Sequence, residues 1–119
     1  MLLGIEPSHV KIPPNTIVPE TKLTRYLLVL KPRNDKSKFL AQAGFTLDTW
    51  EALGSALRVL VGRTEVITDR TDEYGTYYQV TGTLQGVNGR NLKVVTIWLH
   101  RLTDQQFQFI TLTPNETIR

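Results

Sequence analysis

Apolar residues recur along this chain with two periods, and the change between them falls near residue 62. From Leu23 the spacing is helical. Leu23, Tyr26, Leu27 and Leu30 share one face and turn Lys22, Arg25 and Val29 to the other. Pro19 suits the first helical position, where an N–H would be unpaired anyway, and Glu20 suits the positive end of the helix. Lys31-Pro32-Arg33-Asn34 breaks this helix. Asp35 is the expected N-cap of a second one, with Phe39, Leu40 and Ala43 apolar and Gly44 as its stop. Thr46 or Asp48 opens a third, which carries Leu47, Trp50, Leu53, Leu57 and Leu60 and ends at Gly62.

Beyond that point the period becomes 2. Glu65-Val66-Ile67 predicts a short strand, and Thr76 to Leu84 a longer one rich in Tyr, Val and Thr. Val87-Asn88-Gly89-Arg90 reads as a tight turn, because Asn-Gly supplies the positive φ angles a hairpin needs. Leu92 to His100 is the clearest strand, with Val94, Thr96 and Trp98 on one face and Val95, Ile97 and Leu99 on the other. A Thr103-Asp104-Gln105 turn leads to a last strand, Phe107 to Leu112, stopped by Pro114.

Helices followed by an antiparallel meander predict an α+β fold, with two or three N-terminal helices packed on a C-terminal antiparallel sheet of three to four strands. One domain is expected over residues 1–119, divided into an extended arm (1–19), a helical part (20–62) and the meander (63–114). The arm holds four of the six prolines, and its Val10 and Ile12 are expected to pack on the body. An exposed last strand would offer an edge for pairing in a homodimer.

Composition narrows the chemistry. The chain has no cysteine, which removes thiol nucleophiles, thiolate metal sites and disulfides and fits a reducing, cytoplasmic setting. Its start is apolar for only a few residues, and no run is long enough to span a membrane, so no membrane partner is expected. His9 and His100 lie far apart without ligand neighbours, and no phosphate-loop or dinucleotide fingerprint is present, so neither a metal nor another cofactor is expected. Asp69, Asp72 and Glu73 are read as solvated charge in a loop, and no serine sits in a nucleophile-elbow context.

Positive charge is distributed unevenly. Lys22, Arg25, Lys31, Arg33, Lys36 and Lys38 face a single acid, Asp35, a local net of +5 in a chain of net +3. Such a stretch is either a surface built to meet an anion such as phosphate, or the solvated faces of two short helices. Lys36-Ser37-Lys38 would open the second helix, where free backbone N–H groups and the positive helix end favour an anion already. Arg90 falls at the tip or exit of the central hairpin. Tyr77, Tyr78, Thr96, Trp98 and His100 ride on the paired strands, and alternation turns half of them to the core.

With these residues in view a family pattern becomes recognisable. Lys22-Leu23-Thr24-Arg25-Tyr26-Leu27-Leu28 and Asp35-Lys36-Ser37-Lys38-Phe39-Leu40-Ala41-Gln42-Ala43-Gly44-Phe45 resemble a family of small bacterial domains, largely cyanobacterial. The resemblance continues through Tyr74-Gly75, Val87-Asn88-Gly89-Arg90, Val95-Thr96-Ile97-Trp98 and Phe109-Ile110-Thr111-Leu112-Thr113-Pro114, and covers about residues 10–114. Such domains stand alone beside a small partner gene, and related ones end large bacterial toxins, which implies the toxin of a toxin–antitoxin pair. The order of elements is also similar to the ribonuclease-toxin fold of barnase and related toxins, a likeness of fold only. Some relatives carry a histidine in the segment corresponding to residues 29–35, where this chain has none, and Val87 stands where proline is common.

Two functions follow from these readings. The first is a metal-independent endoribonuclease toxin acting on cytosolic RNA, with a cognate antitoxin protein from a neighbouring gene as partner. Cleavage by the substrate's own 2′-hydroxyl needs a base, cations for the phosphorane charge, and an acid for the leaving oxygen. Lys36 and Lys38 would bind or activate the phosphate, Arg90 would stabilise its charge, and Tyr77, Thr96 or Thr111 would orient or exchange protons. Lys22, Arg25, Arg33 and Ser37 would bind substrate. The second function is a non-catalytic protein that meets nucleic acid or one dedicated protein partner through the basic face.

Overall fold

The computed structural model describes residues 11–33, 35–62 and 66–115. A helical turn, α1 (Glu20–Lys22), widens at once into a π-helix, Leu23–Leu27. The short α2 (Ser37–Ala41) follows, and a 3₁₀ turn, Leu47–Thr49, leads into α3 (Trp50–Val61). Four strands complete the chain: β1 (Val66–Asp72), β2 (Gly75–Gln85), β3 (Asn91–Arg101) and β4 (Phe107–Pro114), in sheet order β1-β2-β3-β4. Every neighbouring pair is antiparallel, so the α+β class and the helices-before-meander order are both as the two periods predict.

Alternation sorts the sheet into two faces. Val94, Thr96 and Trp98 of β3 are fully buried, as are Val80 and Leu84 of β2 and Phe109 and Leu112 of β4. The apolar ones form one core with Leu53, Leu57 and Leu60, the inward stripe of α3. Trp98 and Phe109 meet edge to face, 5.2 Å between ring centres, which adds directional packing to the burial. The opposite face carries Ile67, Gln79, Ile97 and Thr111 in one row across all four strands. A bulge opposite Ile97 and Trp98 leaves Ile110 unmatched in β4, and a second lies between Thr68 and Arg70.

Several boundaries differ from the sequence expectation. β1 runs through Asp69 and Asp72, so the acidic cluster placed in a loop sits on a strand and its turn. Pairing with β2, rather than composition, sets that length. Pro19 is the N-cap of α1, with φ −63° and ψ 130°, and not its first helical residue. Asp35 caps α2 from one residue further out, because Lys36 takes the N-cap position. Gly44 does stop that segment with φ +85°, and Gly89 supplies φ +90° in the β2–β3 turn.

The largest difference lies in the first helix. Leu23 and Leu27 are buried as expected, but Tyr26 is 55% and Leu30 67% exposed, while Leu28 is buried in their place. The cause is the wide turn: the Leu28 N–H donates to the carbonyl of Leu23, five residues back, at 3.0 Å. A π-turn brings residues i+4 and i+5 back to the face of residue i, where an α-turn brings i+3 and i+4.

The arm also has a defined end. Ile12 is buried, and Val10 lies outside the described residues. The Ile17 N–H donates to the Phe107 carbonyl at 3.0 Å, and the Phe109 N–H to the Ile17 carbonyl at 2.8 Å, a parallel bridge on β4. Along Phe107–Phe109 the edge expected to pair with a second copy is therefore occupied by the chain's own arm.

Candidate functional site

Lys36, Lys31 and Lys22 converge beside the half of β4 that lies beyond the arm's bridge. With Tyr26, Leu27, Ile110 and Thr111 they line a half-open cavity of about 190 Å³. The last residue of α1 supplies Lys22, the π-helix supplies Tyr26 from its outward face, the helix break supplies Lys31, and the turn before α2 supplies Lys36. The Lys36 ammonium is half-buried and donates to the Thr111 hydroxyl at 3.3 Å. Burial first, and then the like charges of Lys31 and Lys22, hold its pKa below the ordinary lysine value.

Tyr26 forms the outer wall. The Lys22 and Lys31 amines lie 5.9 and 5.4 Å from its ring centre, within cation–π range. The ion pairs between described residues, Arg70 with Asp72 and Arg101 with Asp104, include none of these lysines. Ligand pockets that enclose a whole small molecule span roughly 300–1,000 Å³. This cavity is smaller and suits one anionic group, with the rest of the ligand outside.

The start of α2 is not the anion site that the Lys36-Ser37-Lys38 spacing implies. Asp35 already places a carboxylate there, accepting from the Ser37 N–H at 2.9 Å and from the Ser37 hydroxyl at 2.6 Å. Those two hydrogen bonds hold the Asp35 carboxyl below its ordinary pKa. Ser37 is thereby committed, and α2 is only five residues long. Lys38, Arg25 and Arg33 are exposed and do not line the cavity. Arg90 is held elsewhere, since its turn is tied to the far end of α2 by Val87 N–H to Ala43 carbonyl and Asn88 side chain to Gln42 carbonyl bonds of 2.8 and 3.0 Å.

The three sheet candidates separate by face. Thr96 is 0% exposed; its hydroxyl donates to the Val80 carbonyl at 2.7 Å and accepts from the Trp98 indole at 2.7 Å, so no substrate reaches it. Tyr77 and Thr111 share the outer face, but Tyr77 is two strands away, roughly 10 Å or more. The Arg70 guanidinium covers its ring at 3.9 Å, and burial followed by the Asp72 carboxylate pushes its pKa up. Thr111 alone of the three is in the cleft. Lys31, Tyr26, Leu27 and Ile110 line the cleft without having been expected there from the sequence. Lys31 was visible in the charge run, whereas Tyr26 was hidden by the assumption of α spacing.

A larger cavity, about 780 Å³, lies between α3 and β2, lined by Phe45, Ala52, Ala56, Val59, Leu60 and Val87 together with Ser55 and polar positions of β2. None of its lining residues titrates.

Fold and cleft together define an α+β meander that carries a cationic cleft at its last strand. The chain belongs to the family described as Domain of unknown function (DUF6883), whose model matches residues 13–116. No curated protein matches the chain significantly. Among solved structures it is similar to a chain of a contact-dependent growth inhibition toxin–immunity protein complex from Klebsiella pneumoniae 342. That likeness has a TM-score of 0.67 and 18% identity, and covers 87% of this chain and 96% of that one. At this identity the likeness is one of fold. No helix among the described residues is long and apolar enough to cross a membrane.

Proposed function

We propose that this protein is the toxin of a toxin–antitoxin pair, a metal-independent endoribonuclease that cleaves cytosolic RNA at the lysine cleft. The observation that carries the reading is the convergence of Lys22, Lys31 and Lys36 on one cavity, with the Lys36 proton loosened by burial. The solved chain of like fold supports one half of a toxin–immunity pair, and a basic, phosphate-sized cleft favours the toxin half. The other half is the proposed protein partner.

In this mechanism the RNA phosphate enters among the three amines. Lys36, aimed by its bond to Thr111 and with its deprotonated form favoured by burial and the neighbouring lysines, gives up its own proton to solvent and then accepts the 2′-hydroxyl proton as the 2′-oxygen attacks phosphorus. Lys22 and Lys31 neutralise charge on the phosphorane oxygens, the parts first expected of Lys38 and Arg90. The bond to the 5′-oxygen breaks, and a lysine ammonium across the phosphate protonates the departing oxygen. The products are a 2′,3′-cyclic phosphate and a 5′-hydroxyl.

The test is induction in bacteria without the neighbouring gene, following growth and total RNA. Arrest with RNA ends of this chemistry is expected, and both should vanish in Lys36→Ala. A Lys36→Ala protein that arrests growth and cuts RNA like the wild type would end the assignment. One observation favours a second reading, a binding protein without chemistry: the Lys22–Tyr26–Lys31 group can grip nucleic acid with no proton transfer. Tight RNA binding with intact RNA and unaffected growth would select it.

A further inference from the structure

We infer that Tyr26 is a stacking platform for one unpaired nucleobase, so that the cleft holds a single-stranded nucleotide with its phosphate among the lysines and its base on the ring. The inference rests on the RNA reading above and adds the form of RNA that fits. Its first support is the exposure of Tyr26, 55%, between the buried leucines 23, 27 and 28. Scattered exposed apolar residues are ordinary, but this ring is presented by an irregular turn at the rim of a cationic cavity.

Its second support is size. The cavity admits a phosphate and leaves the attached nucleoside outside, where Tyr26 is the aromatic wall it meets. The third is charge. Lys22 and Lys31 lie within cation–π reach of the ring and at the phosphate cavity, so one pair of long side chains serves both halves of a nucleotide. Paired bases inside a duplex offer no free face to such a ring. Tyr74, 62% exposed at the β1–β2 turn, provides a comparison, because no lysine or arginine among the described residues lies over it.

The test measures binding of a short single-stranded RNA, 2′-O-methylated throughout so that it resists cleavage, and of the same sequence as a blunt duplex. Tyr26→Ala should weaken the single strand by roughly 5- to 150-fold, the span that base–aromatic stacking carries, and leave the duplex unchanged. Tyr26→Trp should restore binding, and Tyr74→Ala should have no effect. Wild-type protein that grips both forms alike, or a Tyr26→Ala variant that binds the single strand normally, overturns the platform and leaves the RNA reading standing. Wild-type protein that binds neither form overturns both. Tyr26-dependent binding without cleavage of the unmodified strand keeps the platform and overturns the nuclease.

Discussion

Two cavities of this molecule, one beside α3 and one beside β4, contrast in size and in chemistry. The one between α3 and β2, about 780 Å³, is walled by alanines, valine and leucine and contains no group that titrates. The one at β4 is about 190 Å³ and gathers three ammonium groups, a hydroxyl and an exposed phenol ring. Size alone favours the first as a binding site. Yet an apolar hollow arises wherever small residues such as Ala52 and Ala56 face a sheet, whereas like charges collected in one place oppose folding. The smaller cavity is therefore the one that packing does not account for.

The strongest way to break this contrast is Lys36→Met. Removing the proposed base should lower the proposed RNA cleavage by at least about 100-fold. The same change should raise the melting temperature at neutral pH. The Lys36 pKa lies lower in the folded than in the unfolded chain, so protonation weakens the fold. That penalty is fully present below the folded pKa and fades as pH climbs towards the ordinary lysine value. Melting curves at neutral and alkaline pH should show the gain shrinking as pH rises; a variant less stable at neutral pH would contradict it. Next in size is Lys22→Ala with Lys31→Ala, which should weaken RNA binding and flatten its logarithmic salt dependence by roughly 1.4 for two lost single-strand contacts. An unchanged slope would place the phosphate elsewhere.

Thr96→Val tests the core against the cleft. It leaves the Trp98 indole and the Val80 carbonyl without their side-chain partner and should cost about 1–3 kcal/mol in chemical denaturation. Cleavage per folded molecule should stay at the wild-type level. Loss of activity at full stability would return Thr96 to the mechanism. The smallest effect is expected for Ala56→Leu in the larger cavity, within about 0.5 kcal/mol and without change in growth arrest. If that substitution abolished arrest in a folded protein, the ranking of the two cavities would be reversed.

Strands and core were legible because alternation is local: Val94, Thr96 and Trp98 declare one face of β3 before any partner is known. The same logic makes Thr96 a core residue, and its hydroxyl invited a chemical role that burial denies. The basic run was legible as charge but not as a site. Lys36 and Lys38 are two residues apart in the chain, yet one is half-buried against β4 and the other is in solvent. Asp35, expected only as a cap, also fills the anion position at the start of α2. Thr111 reaches the cleft through a contact 75 residues away in sequence, which no local pattern encodes.

The π-turn at Leu23–Leu27 has a consequence for length variation. It contains one residue more than an α-turn needs between the same two buried positions, Leu23 and Leu28. A deletion there would let the helix close with ordinary spacing, join its apolar face without interruption and give a more robust fold. The shorter protein would also lose the outward swing that puts Tyr26 in solvent. On the proposed reading, the extra residue of this turn, and not the side chain at position 26 alone, is what would make the segment a recognition surface.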